Sequence, residues 1–103
     1  MKMDNIFNFI FGGGATRGIM ERRNQSENGK VLRTEVNDFI IDSCYTFDAG
    51  YETAICKNNG DWIIVERYST FGIMEVGHKK WCKFCETNPS ELYSVQFDKT
   101  VQL

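Results

Sequence analysis

Three runs in the middle of the chain alternate apolar and polar residues with a period of two, and then the period lengthens. Phe39–Phe47, Tyr51–Lys57 and Trp62–Tyr68 alternate as half-buried strands do, whereas Met74, Gly77, Trp81, Phe84 and Cys85 recur at helical spacing. Successive side chains of a strand point to opposite faces, so the short links between the runs dictate antiparallel hairpins. A fold of strands followed by one helix is therefore expected, not a bundle and not an alternating β/α array. A further strand is expected at Tyr93–Phe97, where Tyr93, Val95 and Phe97 alternate. The expected class is α+β: an antiparallel meander sheet of about four strands with one helix packed on one face, preceded by an N-terminal arm.

The links also suggest the register. Asn59-Gly60 has the residue types that a two-residue type I′ turn needs, with positive φ at both positions. That turn sets Lys57 against Trp62, Cys56 against Ile63, Ala54 against Val65, Glu52 against Arg67 and Tyr51 against Tyr68. The opposite charges of Glu52 and Arg67 suit a direct cross-strand pair. Asp48-Ala49-Gly50 reads as a three-residue hairpin with Gly50 in the left-handed position, which sets Phe47 against Tyr51 and Cys44 against Ala54. Ser69-Thr70 can cap the helix, and Asn88-Pro89 stops it near Thr87.

These registers sort the side chains onto two faces. Ile40, Cys44, Ala54, Cys56, Ile63 and Val65 form a small, aliphatic face suited to close packing beneath a helix. Phe39, Ile41, Tyr45, Phe47, Tyr51, Ile55, Trp62, Ile64 and Tyr68 form an aromatic face that the same helix cannot also cover. Cover from the arm, from the C-terminal segment or from a partner is expected there, which makes Tyr45, Phe47, Tyr51, Trp62 and Tyr68 candidate partner-binding residues.

The two parts of the chain differ in charge. Residues 1–30 carry five basic and three acidic side chains, and residues 31–103 carry seven basic and eleven acidic ones. An acidic body argues against a surface that tracks phosphates, so nucleic acid is not the favoured partner. Residues 1–30 read as an arm, and residues 31–103 as one α+β domain. In the arm Ile6, Phe7, Ile10 and Phe11 fall on one stripe between a possible cap at Asp4 and the Gly12-Gly13-Gly14 hinge. This apolar plug is a candidate partner-binding element, on another subunit or a second copy; the alternatives are a tail folded onto its own domain and a weak interfacial membrane anchor. The stretch is too short for a signal peptide and no run is long enough to span a bilayer, so secretion is not expected and the membrane is a poor candidate.

Four cysteines and one histidine invite a metal reading. Cys82 and Cys85 have CxxC spacing and His78 lies one helical turn earlier, with Cys44 and Cys56 on the strand face assigned to the helix. A zinc site drawn from Cys44, Cys56, His78, Cys82 and Cys85 is thus conceivable, but a single CxxC inside a helix is a weak signature. Buried thiols acting as small hydrophobes fit the composition better, so no cofactor is expected. A redox CxxC belongs at a helix N-terminus, not near its C-terminal end. No phosphate-binding loop follows the glycines. A lone His78 without a recognisable nucleophile and orienting acid does not make a catalytic set. No enzyme activity is expected, and no catalytic residue is nominated.

Gly50-Tyr51-Glu52-Thr53-Ala54-Ile55, Arg67-Tyr68-Ser69-Thr70 and Gly77-His78-Lys79-Lys80-Trp81 together resemble a pattern in small phage and prophage proteins of Gram-positive bacteria. The resemblance spans about residues 45–86. It implies a viral origin, hence a place in the virion or the host cytoplasm, and carries no activity and no site residues. The expected function is protein–protein binding, as a small accessory or adaptor subunit of a phage head or tail. The alternative is a host-directed inhibitor such as an anti-CRISPR or other anti-defence protein. Viral structural subunits, a host defence protein or a second copy are the corresponding partners.

Overall fold

The computed structural model describes residues 31–103, and the apolar arm over residues 1–30, with Ile6, Phe7, Ile10 and Phe11, lies outside the described residues. Six strands and one helix follow in the order β1 (Val31–Val36), β2 (Phe39–Thr46), β3 (Gly50–Lys57), β4 (Ile63–Tyr68), α1 (Phe71–Cys85), β5 (Glu91–Ser94) and β6 (Lys99–Gln102). β1 to β4 form an antiparallel meander in chain order, and β5 pairs with β6 in a separate two-stranded sheet. α1 packs across the meander and touches all four of its strands. The expected architecture is present, but its fourth strand is β1, not the segment at 93–97. Val31–Val36 alternates Leu32, Thr34 and Val36 with Val31, Arg33 and Glu35, and a two-residue turn with Asn37 at φ 52° folds it onto β2.

Asparagine, not glycine, makes the tight turn between β3 and β4. Asn58 and Asn59 take φ of 51° and 59°, and the Gly60 amide donates to the Lys57 carbonyl at 2.9 Å. The two left-handed positions that the type I′ turn requires thus lie one residue earlier than Asn59-Gly60, because asparagine tolerates that region. The register of the pairs near the turn also differs from the expected one. Ile55 faces Ile63 and Ala54 faces Ile64, replacing Cys56/Ile63 and Ala54/Val65, and a β-bulge between Thr53 and Ala54 then leaves Val65 with no opposite number. One extra residue on β4 restores the expected alignment beyond the bulge, so Glu52 faces Arg67 and Tyr51 faces Tyr68.

The β2–β3 hairpin keeps a three-residue loop but turns one residue earlier than expected. Gly50 has positive φ (76°), as its place in the turn demands, but Thr46 faces Gly50, Tyr45 faces Tyr51 and Cys44 faces Glu52. Phe47 therefore belongs to the turn, 74% exposed, and not to a pair with Tyr51.

The larger correction concerns which face the helix covers. Phe39, Ile41, Ile55, Ile63 and Val65 form the core with Cys85 of α1 and Leu92 of β5. Ser43, Thr53 and Tyr68 share that face through hydrogen bonds that lead to His78 on α1. The helix thus lies on the face expected to be left open, and Ile40, Cys44, Ala54 and Cys56 belong to the opposite, far face. The reason is polar as much as apolar. Ser43 and Thr53 would be costly to bury without partners, and His78 supplies the complement. Gly77 lets the helix settle closely, because a Cβ there would overlap the Tyr68 ring.

α1 starts where Thr70 accepts a hydrogen bond from the Ile73 amide at 3.2 Å. It ends at Cys85, with Glu86 as C-cap, and Asn88 in the left-handed region (φ 53°) turns the chain into Pro89. The helix buries Met74, Gly77, His78 and Cys85. His78 replaces Phe84 on the inner face, and Phe84 points outward.

Candidate functional site

One continuous hydrogen-bonded chain joins the helix to the sheet. His78 Nδ1 lies 2.6 Å from Ser43 Oγ, Ser43 Oγ 2.6 Å from Thr53 Oγ1, and Thr53 Oγ1 2.8 Å from the Tyr68 hydroxyl. On the other side of the ring, His78 Nε2 lies 2.9 Å from Thr34 Oγ1. On the same face of β4, the Glu66 carboxylate accepts from Lys80 Nζ at 2.7 Å and from Trp81 Nε1 at 2.8 Å.

An ionised carboxylate can only accept, so Lys80 and Trp81 donate to Glu66. Along Ser43, Thr53 and Tyr68 either hydroxyl of a pair can donate, and the His78 tautomer sets the roles in its two bonds. The arrangement is complete with a neutral imidazole, and burial pushes the His78 pKa down, opposed by the nearby Asp42 charge. Burial pushes Glu66 upward, but the bonds from Lys80, Trp81 and Tyr68 outweigh it and hold its carboxyl below the ordinary range.

Ser43 and His78 have the spacing of a nucleophile and its base, but the pair is poorly suited to catalysis. Ser43 is fully buried, and its oxygen is engaged by both His78 and Thr53. His78 has no free nitrogen to receive a proton without breaking its bond to Thr34. The hydrogen-bonded chain ties together five buried or half-buried polar side chains, one from each strand of the meander and one from α1.

The metal-like residues are not brought together. Cys44 and Cys56 lie on the far face, and His78, Cys82 and Cys85 lie on α1 with the sheet between the two groups. Among the described residues no three of His, Cys, Asp or Glu are placed to hold a metal ion. Burial raises the Cys56 thiol to about 11 and the Cys85 thiol to about 12, and it also raises Cys82. Such thiols are neutral at physiological pH and behave as small hydrophobes.

Of the expected partner-binding aromatics, Tyr45, Tyr51 and Tyr68 sit half-buried beside the helix, with Tyr45 and Tyr51 edge to face at 5.0 Å. Trp62 belongs to the far face, where its ring lies 5.9 Å from the Arg33 guanidinium. Phe47 alone is well exposed. The five do not form one surface.

The outer side of α1 does form one, and the sequence reading missed it. Ile73, Val76 and Phe84 project from one line of the helix, with Val76 70% and Phe84 42% exposed, and Lys80 and Lys83 interleave with them. The line continues into a groove of about 410 Å³ lined by Lys80, Trp81, Phe84, Glu91, Leu92 and Tyr93. Trp81 and Phe84 stack edge to face at 5.6 Å in its wall, and the Glu66 bond fixes the Trp81 ring. The signal was in the sequence: Ile73, Val76, Lys80 and Phe84 follow helical spacing as closely as the buried set.

No helix among the described residues is long and apolar enough to cross a membrane. Comparisons with protein-family models, curated proteins and solved structures return no match.

Proposed function

We propose that this chain is a non-enzymatic binding protein of a phage or prophage, a small accessory or adaptor subunit of the head or tail. The observation that carries the binding reading is the outer face of α1. An apolar line of Ile73, Val76 and Phe84 runs into an aromatic groove formed with β5. Isolated exposed apolar residues are ordinary, but a continuous apolar line ending in a concave aromatic groove is typical of protein-binding surfaces. Trp81 is the natural anchor, since it is half-buried, rigidly held and partly accessible. Interleaved Lys80 and Lys83 favour a partner with acidic residues around an apolar centre.

The absence of catalysis in this reading is supported by the burial of Ser43 and by the closed hydrogen bonding of His78. The viral assignment rests on the resemblance of residues 45–86 to small phage proteins. A host-directed inhibitor is the second reading, favoured by the acidic balance of residues 31–103. The two are separated by mass spectrometry of purified particles of the phage that encodes the chain. An accessory subunit is present at a fixed stoichiometry to the major structural proteins. An inhibitor is found in the infected cell and is absent from the particle.

A further inference from the structure

The β5–β6 hairpin is a sheet of only two strands, and one bond shows which backbone groups of β5 point away from β6. The Leu103 amide donates to the Ser90 carbonyl at 2.9 Å. Bonded and non-bonded pairs alternate along an antiparallel ladder. Leu92/Val101 and Ser94/Lys99 are therefore bonded pairs, whereas Glu91/Gln102 and Tyr93/Thr100 are not. The amides and carbonyls of Glu91 and Tyr93 thus point outward from β5. The same alternation puts the Val95 amide outward, and it donates to the Ile64 carbonyl of β4 at 2.9 Å. At Glu91 and Tyr93, by contrast, no strand among the described residues pairs with this edge.

This bare stretch of edge borders the groove that β5 shares with Lys80, Trp81 and Phe84 of α1. We infer that the groove is a strand-addition site for a short, extended, acidic peptide of a protein partner. The peptide pairs with β5 at Glu91 and Tyr93 and buries one aromatic or branched apolar side chain against Trp81 and Phe84. The inference rests on the reading of the outer side of α1 as a binding surface and names what that surface takes. An extended segment fits because it offers free amides and carbonyls to the edge, whereas a helical one has spent its own internally. The segment is short because β4 takes up the edge at Val95. Its apolar anchor follows from the groove, about 410 Å³ and walled by an edge-to-face Trp81–Phe84 pair that Glu66 holds in place. Its acidic character follows from α1, which carries Lys79, Lys80 and Lys83 against Glu75 alone. The same charges disfavour a second copy, because an isologous contact would gather Lys80 and Lys83 of both chains in one interface.

The test selects peptides from a random heptapeptide library by binding to the full chain and uses the tightest as the probe. The probe should hold one aromatic or branched apolar residue among acidic ones. On binding, hydrogen exchange of the Glu91 and Tyr93 amides should slow by about tenfold or more. A pair of variants isolates the backbone. Tyr93→Pro and Tyr93→Val both lose the ring, but only proline removes the outward amide, and it breaks no bond to β6. The proline variant should bind the probe about tenfold more weakly than the valine variant. Equal binding by the two folded variants would overturn strand addition. The exchange measurement on the native chain stands even if the proline variant fails to fold. A probe that protects residues of α1 but leaves Glu91 and Tyr93 unchanged would also overturn strand addition, while leaving the α1 surface standing. A probe bound equally well after Phe84→Glu would instead remove α1 from the site. Selection of no peptide would overturn the site outright. Protection of Glu91 and Tyr93 without probe that grows with protein concentration would assign the edge to a second copy.

Discussion

Gly77 lies against the ring of Tyr68, so closely that a methyl group in place of its hydrogen would overlap the ring carbons and the hydroxyl oxygen. The contact sets the height of α1 above β4 and lets His78, the next residue, reach Ser43. Glycine inside a helix costs stability relative to alanine, so its presence marks an approach that no other residue permits. Gly77→Ala should destabilise the protein by about 1–3 kcal/mol, the range for overpacking a close-packed site, instead of adding helix propensity. Chemical denaturation checks the sign. Tyr68→Phe in the same background should relieve little, because the ring carbons still collide.

His78 makes stability depend on pH. Its neutral form completes the hydrogen-bonded chain, and burial lowers its pKa below the ordinary 6.5. Below about pH 6.5 the unfolded chain therefore binds a proton that the folded one does not, and stability falls with pH by up to roughly 1.4 kcal/mol per unit until the folded value is reached. Above pH 6.5 this contribution is complete and flat. His78→Asn should be less stable at neutral pH and should lose the slope just below pH 6.5. An unchanged slope would assign the acid sensitivity to other groups.

Removing a middle link is expected to cost more than removing an end. Ser43→Ala leaves both His78 Nδ1 and Thr53 Oγ1 without their shared partner in a buried setting. A loss of about 1–3 kcal/mol follows from the desolvation of one unsatisfied group. Thr34→Val removes only the outer bond to Nε2, beside a position that is half-buried. Its cost should be smaller, and equilibrium unfolding of the two variants orders them.

Glu66 holds two residues of the α1 surface. Lys80→Ala should change stability by less than about 1 kcal/mol, because the Lys80–Glu66 pair is largely exposed and screened. Glu66→Ala also frees the Trp81 indole. The larger effect should appear as a shift in tryptophan emission along with the lower melting temperature.

Much of the fold was legible because it follows from period and turn chemistry. Gly50 with positive φ and the Thr70 cap depend on residues within a few positions, whereas Glu52 meets Arg67 because the bulge offsets the displaced turn. What was not legible depended on one-residue differences that local pattern does not resolve. Asn58-Asn59 and Asn59-Gly60 are both competent turn pairs, and the choice between them moved every partner near the turn. The helix-bearing face is not legible from the apolar pattern, because Ser43, Thr53 and His78 are each costly to bury alone and are satisfied only together. Phe84 was given to the core because it is large and apolar, and the outer line of Ile73, Val76 and Phe84 went unnoticed as a surface.

The most direct test of the binding role uses the outer face of α1 without touching the core. Val76 and Phe84 are exposed, so Val76→Glu/Phe84→Glu should leave the melting temperature nearly unchanged. Particles of the phage proposed to encode the chain, assembled with either the native protein or this variant as the only copy, are purified and the subunit is quantified by mass spectrometry. The native chain should be present in fixed proportion to the major structural proteins, and the variant should be depleted about tenfold or more, as expected on losing a hot-spot contact. Equal incorporation of the folded variant would contradict the assignment of this face as the docking surface, and absence of the native chain from particles would contradict the virion role.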